Sequence, residues 1–321
     1  MLVLVAPGQG SQAPGFLNPW VELPGVADRL GAWSDLVGLD LIHFGTKADA
    51  DEIRDTAVAQ PLLVAAALVS AAALFDDEAV PAPRAAVGAV AGHSVGELAA
   101  AAIAGVLSEE DAMALVRRRA QAMAEAAAVT ETGMSAVLGG DPDAVAARLA
   151  ELELTPANNN GGGQIVAAGT VGRLAELAAG KPERARVVPL KVAGAFHTYH
   201  MAPAVAEMNA AVSDISVADP GIRYVSNADG AVVAEGREVV RRLVSQISNP
   251  VRWDLCMETF QKLGATAIVE LCPGGTLTAL AKRNLPEVER VAIKGPDTLA
   301  AARELITGLS ADTAAAADAA E

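Results

Sequence analysis

The stretch AGHSVGE, residues 91–97, places Ser94 between two glycines in the spacing G-x-S-x-G. This spacing is typical of a nucleophile elbow, in which a serine hydroxyl is presented on a tight turn between a strand and a helix. An apolar run, AAVGAV (85–90), precedes the stretch, and a helix-forming run, VGELAAAAIAG (95–105), overlaps its end and continues beyond it. Because these flanks supply the strand and the helix, they favour a nucleophilic Ser94 over the alternative, an ordinary strand-to-helix turn.

A nucleophilic serine needs a base, and the candidates are the histidines of the chain, His43, His93, His197 and His200. His93 adjoins Ser94, and neighbouring side chains of a strand point to opposite faces, so it is expected to line the pocket rather than act as the base. His197 follows an apolar run and a small-residue loop, at a strand end where α/β active sites collect. We favour it over His200, which we place in the following helix, and we interpret His43 as structural.

Helical geometry places Arg119 on a different face of its helix from the neighbouring Arg118. Ser108 caps a helix predicted from about 109 to 127, and residues of a helix are about 100° apart. Arg118 then lies on a solvated face, whereas Arg119 shares an apolar stripe with Met123 and other small or apolar residues. A buried arginine needs a carboxylate or phosphate partner. The sequence leaves two partners open, an internal Asp or Glu and a substrate carboxylate.

The N-terminal strand LVLVA runs into the turn PGQGSQA, residues 7–13, which resembles a dinucleotide-binding fingerprint. We discount that function because Pro14 and Gly15 interrupt the helix that would bind the pyrophosphate. The turn is instead expected to offer the backbone N–H of Gln9 to the pocket of Ser94.

Strand and helix patterns alternate through residues 1–127, which predicts a parallel sheet covered by helices. The next segment, 129–193, predicts a βαββαβ order that is complete in itself. Its expected elements are a strand at 135–138, a helix at 142–152, strands at 156–159 and 164–168, a helix at 171–179 and a strand at 186–192. The α/β pattern then resumes, with strands at 222–227 and 267–271, helices near 238–247 and 255–263, and a helix after CPGG.

Composition excludes some classes of function. The net charge is −15, whereas nucleic-acid binding and an anionic membrane surface both require clustered cations. The two cysteines, Cys256 and Cys272, lack metal-ligand spacing and favour a reducing cytoplasm. No signal peptide is expected, because the first residues lack a basic region. The apolar stretch 61–75 is shorter than the ~18–20 residues that span a bilayer, so it predicts a buried helix starting at Pro61.

Seven ordered motifs resemble those of the malonyl-CoA:acyl-carrier-protein transacylase family of type II fatty acid synthesis, and the resemblance covers nearly the whole chain. They are PGQGSQ (7–12), AVAQPLL (57–63), GHSVGE (92–97), RRRAQAM (117–123), GAFH (194–197), NPVRW (249–253) and CPGGTLT (272–278). The resemblance implies an α/β hydrolase-like parallel-sheet core, residues 1–128 and 194–310, with an inserted ferredoxin-like subdomain, residues 129–193. We expect residues 311–321 to form a flexible tail.

The resemblance also implies roles for individual residues. Ser94 would be the nucleophile, His197 the base and Arg119 the partner of the malonyl carboxylate. The backbone N–H groups of Gln9 and Val95 would form the oxyanion hole, and a backbone carbonyl, of Gln246 or of Asn249, would orient the base. The remaining substrate-binding residues are expected to be His93, Met123, Asn160 and Phe196.

The implied reaction is ping-pong transfer of malonyl from malonyl-CoA, through a malonyl-serine ester, to the phosphopantetheine thiol of acyl carrier protein. No metal, cofactor, nucleic acid or membrane is expected, and we expect a cytoplasmic monomer. The alternatives are a transacylase that supplies polyketide synthesis, a serine hydrolase with the same elbow, and a non-catalytic carrier-protein binding module. Because carrier proteins are acidic, docking is expected on a local basic patch, either Lys282 with Arg283 or Lys181 with Arg184 and Arg186.

Overall fold

The computed structural model describes residues 1–76, 86–213 and 215–318 and shows a mixed α/β chain with two sheets. The strands are β1 (Leu2–Ala6), β2 (Val87–Gly92), β3 (Thr132–Gly139), β4 (Thr155–Asn159), β5 (Gln164–Thr170), β6 (Ala185–Pro189), β7 (Arg223–Val225), β8 (Val232–Val233), β9 (Val251–Arg252), β10 (Ala267–Glu270) and β11 (Glu289–Ala292).

The helices are α1 (Asn18–Val21), α2 (Val26–Val37), α3 (Leu41–Thr46), α4 (Thr56–Phe75), α5 (Gly96–Ile103), α6 (Glu109–Val129), α7 (Pro142–Glu151), α8 (Val171–Ala179), α9 (Ala202–Ala211), α10 (Gly236–Ser245), α11 (Trp253–Lys262), α12 (Thr276–Asn284) and α13 (Leu299–Asp318). Short 3₁₀ helices cover Glu52–Arg54, Tyr199–Met201, Gln246–Ser248 and Pro296–Thr298.

The larger sheet has the strand order β11-β10-β1-β2-β7-β8, and its pairs are parallel except β7 with β8. Every residue of β1 is buried, as expected of a central strand covered on both faces. Ala6 is in register with Gly92, so β1 and β2 end side by side. The turn that follows β1 and the turn that carries Ser94 therefore lie at the same edge of the sheet.

The smaller sheet has the order β6-β3-β5-β4-β9. Its elements up to β6 follow the predicted βαββαβ order, although the last strand ends at Pro189 rather than at residue 192. The fifth strand, β9, comes from a later part of the chain and pairs in parallel with β4. The segment after residue 194 thus contributes to the same sheet as the predicted insert, whose boundaries remain a prediction.

Helix α4 corrects the predicted start of the apolar helix. It begins at Thr56, where the Asp55 side chain accepts a hydrogen bond from the Ala57 N–H, so Pro61 lies inside the helix rather than in its first turn. A proline there cannot donate to the carbonyl four residues before it. The Arg117 guanidinium fills that gap, since its Nη1 donates to the Ala57 carbonyl at 2.9 Å.

Three other predictions concern the apolar helix, the C-terminal tail and the strand before Ser94. Helix α4 is long and apolar enough to span a membrane, but 83% of its most apolar window is buried inside the protein, as in the core helix of a globular fold. Helix α13 extends to Asp318, so residues 311–318 of the predicted flexible tail are helical, while residues 319–321 lie outside the described residues. The predicted strand at 85–90 is observed as β2, and residue 85 also lies outside them.

Candidate active site

Ser94 lies on the turn between β2 and α5 and has a positive φ of 53°. This left-handed conformation is uncommon for a residue with a side chain, and it is the strained backbone expected of a nucleophile elbow. The turn is tight, since a Cβ atom on Gly92 would lie 2.0 Å from the backbone carbonyl carbon of Gly96. The glycine before the serine is therefore required sterically.

The Ser94 hydroxyl forms a hydrogen bond with His197, and the Oγ–Nε2 distance is 2.7 Å. The other ring nitrogen, Nδ1, lies 2.7 Å from the backbone carbonyl of Gln246 and donates to it. Because a carbonyl can only accept, this contact keeps the proton on Nδ1 and leaves Nε2 free to accept one from Ser94. Burial and the nearby Arg119 cation lower the pKa of His197 to about 3, so the ring is neutral at neutral pH.

The structure distinguishes between the candidate orienting carbonyls and between the candidate bases. The Gln246 carbonyl is the close partner of His197, while a hydrogen bond to the Asn249 backbone has a smaller effect that raises the pKa of the ring. His200 lies in the 3₁₀ helix before α9, not in α9 itself, and its ring stacks on Tyr199 at 4.1 Å. His43 is exposed on α3 rather than buried among apolar residues.

Arg119 is 2% exposed and projects from α6 toward Ser94. Its guanidinium donates to the side-chain oxygens of Gln60 at 2.6 Å and Gln246 at 2.7 Å, and its Nη2 lies 3.4 Å from the Ser94 hydroxyl. Burial lowers its pKa to about 10, which leaves it cationic at neutral pH. Within the described part of the chain no carboxylate lies within ion-pair distance of it. Of the two predicted partners, an internal Asp or Glu is therefore not found at ion-pair distance among the described residues, and the substrate carboxylate stays a prediction.

A cavity of about 240 Å³ opens in front of Ser94. The predicted site residues that line it are Gln9, His93, Ser94, Val95, Met123, Asn160, Phe196 and His197. His93 is held by Asn160, with 2.9 Å between Nε2 and Oδ1, and burial lowers its pKa. Arg119, Gln246 and Asn249 do not line this cavity, and Arg119 reaches the reacting centre through its contact with the Ser94 hydroxyl.

Two backbone N–H groups beside the cavity are available as hydrogen-bond donors. The N–H of Ser94 itself is occupied, because it donates to the Asn227 side chain at 2.8 Å. Among the described residues, the N–H groups of Gln9 and Val95 have no hydrogen-bond acceptor, and both residues line the cavity. Backbone N–H groups without a protein acceptor can donate to a negative charge that develops during a reaction.

Some residues of the site were missed by sequence reasoning. The motifs AVAQPLL and GHSVGE contain Gln60 and Glu97 but indicate no role for them, and the sequence patterns indicate none for Asn227 or for the side chain of Gln246. Each is a polar residue within or beside an apolar run and each is at most 4% exposed. The first of these properties is visible in the sequence and could have identified them, because a polar group buried with an apolar run requires a partner.

Comparison with known proteins gives consistent matches over nearly the whole chain. A model of the acyl transferase domain matches residues 3–310. The malonyl CoA-acyl carrier protein transacylase of Mycobacterium tuberculosis (strain ATCC 25618 / H37Rv) is 52% identical over 299 residues, which cover 93% of this chain and 98% of that protein.

Solved structures agree with these matches. The crystal structure of MCAT from Mycobacterium tuberculosis has a TM-score of 0.90 and 50% identity, covering 96% of this chain and 99% of that one. A malonyl-transacylase solved in complex with its type II PKS acyl-carrier protein has a TM-score of 0.86 and 29% identity, covering 94% of this chain and 99% of that one.

Proposed function

Because the chain belongs to the acyl transferase family, we propose that it transfers the malonyl group of malonyl-CoA to the phosphopantetheine thiol of acyl carrier protein. Its relatives carry the name of this activity, and one related structure holds a carrier protein. The observation that carries the proposal is the meeting of three groups: the Ser94 hydroxyl contacts the His197 base on one side and the Arg119 cation on the other.

The first half of the reaction uses the neutral imidazole. His197 takes the hydroxyl proton of Ser94 at Nε2 as Oγ attacks the thioester carbonyl of malonyl-CoA. The carbonyl oxygen becomes an oxyanion, which the N–H groups of Gln9 and Val95 stabilise. The carbon–sulfur bond then breaks, the CoA thiolate recovers the proton from His197, and a malonyl-Ser94 ester remains.

The second half repeats these steps with a different thiol. His197 takes the proton of the phosphopantetheine thiol, whose sulfur attacks the ester carbonyl, and the proton returns to the Ser94 oxygen as the ester breaks. The carbonyl of Gln246 holds the imidazole in the same tautomer throughout. In each half-reaction, His197 returns the proton that it takes. We propose that no metal or other cofactor takes part.

Selectivity for malonyl follows from the cation beside the nucleophile. A malonyl group on Ser94 carries its free carboxylate within reach of Arg119, whose only partners in the described chain are neutral side chains. A guanidinium can hold a carboxylate through two parallel hydrogen bonds. His93, Met123, Asn160 and Phe196 shape the rest of the acyl pocket.

We also propose a division of the chain into two subdomains, with β9 of the first paired to β4 of the second. Residues 1–128 and 194–310 form a hydrolase-like core, and residues 129–193 form a ferredoxin-like insert. The order β6-β3-β5-β4, with antiparallel pairing between neighbours, supports the second assignment. The cavity lies between the two, since residues of both segments line it.

The carrier protein is proposed to dock beside α12. Leu277 and Leu280 of this helix line the cavity, and its last turn exposes Lys282 and Arg283. We propose a cytoplasmic location, because Cys256 and Cys272 are both free thiols, and we keep the monomer of the sequence analysis as a proposal. We propose that the malonyl-carrier protein is used in fatty acid synthesis. Use in polyketide synthesis is the second possibility, because a related structure is a complex with a type II PKS carrier protein.

The test is a transfer assay with malonyl-CoA and holo acyl carrier protein, followed by mass spectrometry of the carrier. We expect malonyl-carrier protein and free CoA in equal amounts. Free malonate with an unmodified carrier would instead indicate a serine hydrolase, and an unreacted thioester would indicate a non-catalytic binding module.

A further inference from the structure

Glu97 is a buried carboxylate that the mechanism above does not use. It lies in the first turn of α5, directly after the elbow, and is 1% exposed. In the described chain it forms no ion pair, yet both of its oxygens are occupied. Oε1 accepts the Asn227 N–H at 2.7 Å, and Oε2 accepts a hydrogen bond from the Gln246 side-chain amide.

The two residues that Glu97 binds hold the backbone of Ser94 from both sides. The side-chain oxygen of Asn227 accepts the Ser94 N–H at 2.8 Å. The side-chain nitrogen of Gln246 donates to the Ser94 carbonyl at 2.9 Å. Glu97 is therefore the common partner of both clamps on a residue with a strained φ.

Glu97 also fixes the direction in which the Gln246 amide points. A side-chain amide has a donor end and an acceptor end, whereas a carboxylate can only accept. With its NH₂ group turned toward Glu97, the amide presents its oxygen to Arg119 at 2.7 Å. A hydrogen-bond donor in place of the carboxylate would favour the reverse direction, in which the NH₂ group faces the guanidinium and the two donors repel.

We propose that Glu97 is a positioning residue for malonyl selectivity: by accepting a hydrogen bond from the Gln246 amide, it holds Arg119 in place beside Ser94. This inference rests on the proposed function, because it concerns the carboxylate-binding step of that reaction. Its consequence is that the ionised state of Glu97 controls the preference for malonyl over acetyl groups.

The ionisation of Glu97 lies in an accessible pH range. Burial raises its pKa to about 7. Two of the groups around it keep one state between about pH 6 and pH 8: Arg119, with a pKa of about 10, stays charged, and His197, with a pKa of about 3, stays neutral. Burial also raises the pKa values of Tyr224 and Cys256 well above their usual range, and it lowers the pKa of His93.

The sign of the pH effect follows from the raised pKa. Glu97 is a carboxylate above about pH 7 and gains an O–H donor as the pH falls below that value. The malonyl preference should therefore be complete at about pH 8 and weaker at about pH 6. Acetyl transfer has no carboxylate to position, so the ratio of the two rates isolates the effect.

The experiment measures kcat/KM for formation of the acyl-Ser94 ester from malonyl-CoA and from acetyl-CoA, with wild type, Glu97→Gln and Glu270→Gln. Glu270 is a matched control: it is fully buried and accepts hydrogen bonds from the N-terminal turn of α12. We expect Glu97→Gln to lower the malonyl-to-acetyl ratio about 10–100-fold, the range for losing a hydrogen bond to a charged group. We expect Glu270→Gln to lower the melting temperature without changing the ratio.

The pH series provides a readout that a purely structural role would not change. The wild-type ratio should fall between about pH 8 and pH 6, and the ratio of Glu97→Gln should be low and independent of pH. Equal losses for both substrates, or a pH-independent wild-type ratio, would overturn the proposal, and the wild-type series stands even if the variant does not fold. A wild-type protein that forms no malonyl ester would refute the proposed function instead.

Discussion

Replacing Arg119 with methionine should remove malonyl selectivity and leave acyl transfer in place. The substitution keeps an unbranched apolar stem but deletes the guanidinium that lies 3.4 Å from the Ser94 hydroxyl. Removing one member of a buried charge pair costs roughly 2–5 kcal/mol. At 25 °C this corresponds to a loss of about 30-fold to several thousand-fold in kcat/KM for malonyl-CoA.

The same substitution has a second effect, which lowers the stability of the protein and does not depend on the substrate. The side-chain oxygens of Gln60 and Gln246 each lose a donor, at 2.6 and 2.7 Å in the wild type. Each unsatisfied buried acceptor costs about 1–3 kcal/mol of stability. Melting temperature should therefore fall, while the malonyl-to-acetyl ratio reports only the lost contact with the substrate carboxylate.

The assay is rapid-quench formation of the acyl-enzyme from malonyl-CoA and from acetyl-CoA. Arg118→Met is the matched control, since Arg118 is the preceding residue of α6 and is exposed. We expect the control to match wild type in both rates. If Arg119→Met slowed both substrates by the same factor, its role would be structural, and the assignment of the carboxylate site would be refuted.

Four further predictions address the base, the acyl pocket and the carrier protein. His197→Ala should lower transfer about 10²–10⁴-fold, the usual contribution of a general base, and His200→Ala should be nearly silent; the opposite order in steady-state rates would contradict the assignment. Since burial lowers the pKa of His197 to about 3, its base form persists far below the ordinary histidine pKa, so acetyl-ester formation should hold as the pH falls to about 5. Phe196→Ser should raise the relative use of methylmalonyl-CoA by opening the cavity wall, and an unchanged preference in competition assays would exclude this role. Reversing Lys282 and Arg283 to Glu should raise the KM for carrier protein and spare malonyl-Ser94 formation, whereas equal slowing of both half-reactions would indicate a structural cluster.

The parts of the site that could be predicted from sequence are those that local geometry determines. The elbow at Ser94 follows from glycine spacing and from its flanks, and burial of Arg119 follows from the periodicity of a single helix. The alternation of strands and helices likewise predicted both sheets, because each signal lies within a short segment.

The parts that could not be predicted depend on contacts between distant segments. Gln60, Glu97 and Gln246 lie on α4, on α5 and just after α10, and only the folded chain brings them together. The start of α4 was mispredicted for a similar reason: Arg117 occupies the carbonyl that Pro61 leaves without a donor, and this allows the proline to lie inside the helix. The pairing of β9 with β4 is a third such contact.

The central claim is that Ser94 carries the malonyl group between two thiols. The most direct measurement is intact-protein mass spectrometry after brief mixing with malonyl-CoA, followed by addition of holo acyl carrier protein. Wild type should gain the mass of one malonyl group, mapped to the peptide of residue 94, and lose it to the carrier protein in the second step. Ser94→Ala should gain nothing while melting near the wild-type temperature. A malonyl adduct on Ser94→Ala, or transfer to the carrier without any wild-type adduct, would contradict the claim.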